Sequence, residues 1–133
     1  MQALYIHIPF CRRKCHYCDF YSIPYRGDLA ESYINVLCRE IAALEDDFST
    51  IYIGGGTPTV LPRLVLEKLL KALGKLSRKT FEFTIEANPE SLDAEKIALF
   101  LDGGINRISM GVQSFSDAKL HRLRQKRLSL LFI

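Results

Sequence analysis

"STIYIGGGTPTVLPRLVLEKLLKALG", residues 49 to 74, runs from a short β-branched segment through three consecutive glycines into leucines at helical spacing. "STIYI" reads as a strand, and Gly54, Gly55 and Gly56 stop it. Pro62 suits the first turn of a helix that carries Leu66, Leu69, Leu70 and Leu73 on one face. A strand and a helix joined by a tight turn make one βα unit, and the flanking sequence repeats that order. Upstream, "ALYIHIP" alternates and is rich in branched and aromatic residues, as a strand is. Asp28 then opens a helix with Leu29, Tyr33, Leu37, Ile41 and Leu44 on its apolar side. Downstream, "FEFTIEANP" alternates and ends at Asn88-Pro89, and Ser91 caps a helix that stops at Gly103-Gly104. "RISMGVQS" reads as a fourth strand, after which Ser116-Asp117 open a helix running into "LHRLRQKR".

Four consecutive βα units at intervals of roughly 30 residues imply an α/β fold with a parallel sheet and right-handed crossovers. Four units cannot close a barrel, so the expected architecture is a partial one. Ligands of such sheets collect at the carboxyl ends of the strands. Every unusual segment falls there: a cysteine loop after the first strand, GGGTPT after the second, EANP after the third and GVQS after the fourth.

The chain has 133 residues, and its 48% apolar and 25% charged composition is that of a globular protein. A net charge of +3 is too small to argue for nucleic acid. The basic clusters Arg12–Arg13–Lys14 and Arg122 to Arg127 read as solvated faces. The amino-terminal residues lack a signal-peptide pattern, and no apolar run approaches the ~20 residues that span a bilayer. A cytoplasmic location is the expectation. In a reducing compartment, clustered cysteines point to metal or redox chemistry before disulfides.

Cys11, Cys15 and Cys18 are spaced C-x3-C-x2-C, with no further cysteine until Cys38. Thiolates suit zinc or iron–sulfur clusters. In a four-iron cubane, three cysteines leave one iron open to an exogenous ligand. A Cys3His zinc site using His16 or His7 is the competing reading. Gly54, Gly55, Gly56 and Thr57 are either a tight turn or a backbone cradle for a ligand, and no Lys-Ser/Thr follows that would make them a phosphate loop. Glu86 is a carboxylate at the end of an apolar strand, either solvated or aimed at a ligand. Cys38 reads as core packing, His7 as a packed neutral histidine and His121 as a surface residue.

"YIHIPFCRRKCHYCDF", "IGGGTPT", "IEANP" and "NRISMGVQSF", in that order, resemble the radical S-adenosylmethionine superfamily. Within it the likeness is to the oxygen-independent coproporphyrinogen III oxidase-like group. The resemblance implies that Cys11, Cys15 and Cys18 hold a [4Fe–4S] cluster whose open iron chelates S-adenosylmethionine. One electron then splits the sulfonium to give a 5′-deoxyadenosyl radical. It further implies that Gly54, Gly55, Gly56 and Thr57 hold the methionyl amino group, that Glu86 binds the ribose, and that Gln113, Tyr5 and Tyr17 contact or flank the cofactor.

True oxidases of the group carry a C-x-C pair after the cluster motif, whereas Phe20 stands where the second cysteine would be. "CDF" resembles the heme chaperone branch, which implies heme as cargo and a heme-accepting protein as partner. A true oxidase acting on a porphyrinogen, a zinc-stabilised α/β module and an inactive fragment are the alternatives. The resemblance covers residues 4 to about 123, and residues 1–123 are read as the amino-terminal part of the core domain. The tail, residues 124–133, departs from the family, and the chain is expected to be a fragment.

Overall fold

The computed structural model describes residues 2–15 and 17–123. Alternation along the strands builds a two-faced sheet. β1 (Ala3–Ile8), β4 (Thr50–Gly55), β5 (Glu82–Ala87) and β6 (Arg107–Met110) lie side by side in that order, all parallel. Their register sets Ile6 beside Ile53, Ile53 beside Ile85 and Ile85 beside Ile108 on one face. Tyr5, Tyr52, Thr84 and Arg107 align on the other.

The first face is the core. Ile6, Ile8, Ile51, Ile53, Phe83 and Ile85 are buried there with Ala30, Ile34 and Ile41 of α1 (Gly27–Ala42). Leu66, Leu69, Leu70 and Leu73 of α2 (Arg63–Leu73) and Phe100 of α3 (Ala94–Asp102) complete it. Each isoleucine, leucine or phenylalanine among them contributes roughly 1.5–3 kcal/mol on leaving water. The opposite face carries tyrosines, a Glu82–Arg107 ion pair at 3.2 Å and, at its carboxyl end, Glu86. The result is the α/β partial barrel expected from the sequence: four parallel strands with helices on one face and a polar inner surface on the other.

Several local expectations are corrected. Arg26, not Asp28, is the residue before α1; Asp28 lies in its first turn and pairs with Arg26 at 2.9 Å. Leu29 is 40% exposed, whereas Ile41 is buried and Tyr33, Leu37 and Leu44 pack against the core as expected, with Ala30 and Ile34 joining them. Pro62 immediately precedes α2 rather than opening its first turn. Asp93 caps α3 by accepting from the Lys96 N–H at 2.8 Å, while Ser91 is buried in a 3-10 turn, Pro89–Ser91. β6 stops at Met110, so Val112, Gln113 and Ser114 lie beyond it. α4 (Asp117–Arg122) begins as expected, but the run 124–127 and the tail 124–133 lie outside the described residues, as does His16. Among the described residues, no helix is long and apolar enough to cross a membrane.

Candidate functional site

Two strands too short to show any periodicity hold the cysteine loop in place. β2 (Phe10–Cys11) pairs in parallel with β3 (Ile23–Pro24), pinching together the two ends of the loop between them. The stem is tied by Ile23 N–H to Pro9 O at 2.7 Å and by Tyr25 N–H to Cys11 O at 2.9 Å. Cys18 N–H donates to Cys15 O at 3.2 Å, which turns the loop back on itself. Cys11, Cys15 and Cys18 are not disulfide-bonded, and all three line a single cleft at the carboxyl ends of the strands.

The glycine run forms the floor of that cleft. Gly56 N–H donates to Ile8 O at 2.8 Å and Thr57 N–H to Phe10 O at 2.7 Å, joining the end of β4 to the cysteine stem. A methyl group on Gly56 would sit 2.6 Å from Phe10 O and 3.0 Å from Cys11 Sγ. Gly55 has φ of +114°, a conformation that side chains disfavour, and its missing side chain is replaced by the His7 ring. These glycines therefore serve a close approach of backbone to cysteine loop as well as leaving open space in the cleft.

Glu86 is held from two sides. Tyr52 Oη donates to its Oε1 at 2.7 Å, and Gly55 N–H donates to its Oε2 at 3.0 Å. Burial raises the Tyr52 pKa first, with the bond to Glu86 adding to the rise. Thr57, 8% exposed, lies between the cysteine loop and β5: its Oγ1 is 3.6 Å from Cys11 Sγ and 3.1 Å from Asn88 Nδ2. Gln113 lines the cleft with φ of 60°, a left-handed conformation at a non-glycine residue.

The structure thus brings Cys11, Cys15, Cys18, Tyr17, Gly55, Gly56, Thr57, Glu86 and Gln113 to one cleft. Gly54 borders it from beneath, where a side chain would strike the Glu86 carboxylate 2.8 Å away. Tyr5 does not reach the lining. It stacks on Tyr52 at 5.9 Å, with its hydroxyl 3.4 Å from His7 Nδ1, and burial followed by the Glu86 charge raises its pKa. His7 is half-buried, packed against Gly55. Cys38 packs at the edge of the core, where burial raises its thiol pKa.

Sequence reasoning missed Tyr52 and Asn88 as site residues. Tyr52 stands two residues before Gly54, so strand alternation puts both on one face. Asn88 sits inside the EANP segment, where it reads as a strand terminator.

The donor set can be tested against a bound group. Among the described residues, no three Cys, His, Asp or Glu side chains converge on one ion position. A cubane instead spreads its ligating thiolates over separate corners, which suits three cysteines around one open cleft. The glycine floor and the clamped carboxylate then leave polar room beside it.

Comparison with known proteins identifies relatives of the chain. The model of the Radical SAM superfamily matches residues 5–130. The heme chaperone HemW of Bacillus subtilis is 40% identical over 131 residues, which is 92% of this chain and 35% of the relative. That of Lactococcus lactis is 45% identical over 91% of this chain and 33% of its own length. An anaerobilin synthase of Escherichia coli O157:H7 is 38% identical over 87% of this chain and 28% of its own. Among solved structures, the coproporphyrinogen III oxidase HemN of Escherichia coli, a radical SAM enzyme, superposes with a TM-score of 0.80 at 26% identity. It covers 94% of this chain, which in turn covers 31% of it. The chain thus spans about a third of the length of the curated relatives it matches. A model matched from Tyr5 onward over nearly all the described residues settles the family: the chain belongs to the radical SAM superfamily.

Proposed function

We propose that this chain carries the cluster and S-adenosylmethionine site of a radical SAM protein that handles heme, as its heme chaperone relatives are named to do. The observation that supports it is the meeting of three thiols, a glycine-floored strand end and a clamped carboxylate in one cleft. In this reading Cys11, Cys15 and Cys18 hold a [4Fe–4S] cluster. Gly54, Gly55, Gly56 and Thr57 present backbone to the methionyl end of S-adenosylmethionine. Glu86 accepts from the ribose hydroxyls, Gln113 and Tyr17 border the cofactor, and Tyr5 lies behind the site, stacked on Tyr52. When bound, the cluster supplies the electron that cleaves the sulfonium.

The protein's own contribution is geometry. Tyr52 and Gly55 hold the Glu86 carboxylate in one orientation, so a ribose meets a fixed acceptor. The β2–β3 stem fixes both ends of the cysteine loop. Arg13 and Lys14, on the cleft wall, place positive charge beside the anionic end of the ligand. Residues 1–123 are read as the amino-terminal part of the core domain. Cysteines without disulfides fit a reducing compartment, and the cytoplasm is the location proposed.

Heme as cargo, delivered to an accepting protein, is favoured over porphyrinogen oxidation because Phe20, 70% exposed, stands where the oxidases carry another cysteine. The test is anaerobic reconstitution with iron and sulfide, followed by electron paramagnetic resonance of the reduced protein with and without S-adenosylmethionine. A cluster signal that changes on adding the cofactor is expected; an unchanged signal contradicts the reading. Heme retained through gel filtration, with coproporphyrinogen III left unconsumed, is the expected outcome of the second arm. Conversion of coproporphyrinogen III would reverse the choice of branch.

A further inference from the structure

Thr57 is buried between Cys11 and Asn88, and the chemistry of its neighbours dictates which way its proton points. A sulfur that ligates iron is a thiolate, so it accepts hydrogen bonds and donates none. The Thr57 hydroxyl, 3.6 Å from Cys11 Sγ, has one proton to give. Its oxygen then takes a proton from another donor, and Asn88 Nδ2 at 3.1 Å supplies it. The opposite polarity needs a proton on the sulfur, which metal ligation removes.

Asn88 is itself fixed by a ring of hydrogen bonds. Its N–H donates to Thr59 Oγ1 at 3.3 Å, Thr59 Oγ1 and Ser91 Oγ are 2.6 Å apart, and Ser91 Oγ donates to Asn88 O at 3.1 Å. Taken in that direction, each hydroxyl donates once and accepts once, and the ring closes without an unpaired group. Lys96 Nζ clamps it from α3, donating to Thr59 O at 2.7 Å and Ser91 O at 2.9 Å. This frame fixes the Asn88 backbone, and from it the side-chain amide reaches Thr57 Oγ1.

We infer that the Thr57 hydroxyl, oriented by Asn88, donates to the ligating sulfur of Cys11 and raises the reduction potential of the cluster held there. Asn88 is a positioning residue that acts through Thr57. The inference rests on the proposed cluster site. A hydrogen bond to a ligating sulfur draws charge from it and favours the reduced, more negative cluster.

The test is a potentiometric titration of the anaerobically reconstituted protein, followed by electron paramagnetic resonance in the absence of S-adenosylmethionine. Thr57→Val keeps the shape and removes the hydroxyl. The expected fall is about tenfold in the reduction equilibrium, or about 59 mV for one electron. Thr57→Ser restores the potential. Asn88→Ala lowers it by part of that amount, and the double variant Thr57→Val, Asn88→Ala falls no further than Thr57→Val alone.

An unchanged potential in Thr57→Val with its cluster intact overturns the inference and leaves the proposed function standing. Additive shifts in the double variant overturn the positioning role of Asn88. Loss of iron in Thr57→Val and Thr57→Ser alike shows a need in assembly rather than in poise, and also overturns it. No cluster in the unsubstituted protein overturns the proposed function and this inference together.

Discussion

Gly56→Ala adds a single methyl group at the point where β4 meets the cysteine stem, and its cost can be worked from the distances. The new Cβ would lie 2.6 Å from Phe10 O, 3.0 Å from Ile8 O and 3.0 Å from Cys11 Sγ. Two of those three atoms are backbone oxygens, so no side-chain rotation relieves the overlap. They are also the acceptors of the Gly56 and Thr57 N–H groups. Moving β4 away weakens the hydrogen bonds that join the two segments. Overpacking costs roughly 1–3 kcal/mol and each weakened bond up to about 1 kcal/mol, so a loss of about 2–4 kcal/mol is expected. Urea unfolding of the iron-free protein measures it, and iron content after reconstitution should fall in parallel. Gly27→Ala is the control, since its nearest atom is Tyr25 Oη at 3.6 Å, and it should be neutral or stabilising by about 0.4–1 kcal/mol. If Gly56→Ala unfolds within about 0.5 kcal/mol of the parent and loads iron fully, the close approach inferred here is wrong.

Asp93→Ala removes the α3 cap and should cost about 0.5–2 kcal/mol in the same unfolding assay, whereas removing the carboxylate of Asp28 should cost far less. Glu86→Gln leaves either Tyr52 or Gly55 N–H without its acceptor; calorimetry of the reconstituted protein should show S-adenosylmethionine binding weakened tenfold or more, because hydrogen bonds to a charged group contribute about 1.5–3 kcal/mol. Tyr52 has its pKa raised above 10.0 by burial and by Glu86, so its stabilising contribution is complete below pH 10.0 and is lost as pH rises through the folded value. The stability difference between the parent and Tyr52→Phe should accordingly be constant up to about pH 10 and shrink above it in denaturation series.

The strands were legible because burial on one face imposes a period of two on residues such as Ile51, Ile53, Phe83 and Ile85. The helix caps were not. Ser91 and Asp93 are both competent caps two residues apart, and only the tertiary contact of Ser91 with Thr59 assigns the cap to Asp93. Leu29 misled for a similar reason, since Leu29 and Ala30 fit the helical period of Tyr33, Leu37 and Leu44 equally well. β2 and β3 have two residues each, too few to carry any pattern, yet they shape the cysteine loop. At the site, the cysteines and glycines announce themselves by spacing. Tyr52 and Asn88 do not, because their part depends on cross-strand neighbours 34 and 31 residues away.

The central claim is that one loop of three cysteines holds a four-iron cluster at the carboxyl end of this sheet. Iron and acid-labile sulfide counts on the anaerobically reconstituted protein, compared across four single cysteine variants, test it most directly. Cys11→Ala, Cys15→Ala and Cys18→Ala should each lose the cluster, while the parent and Cys38→Ala should keep about four iron and four sulfide per chain. Equal loss of iron in Cys38→Ala, or colourless zinc in place of iron and sulfide in the parent, would contradict it.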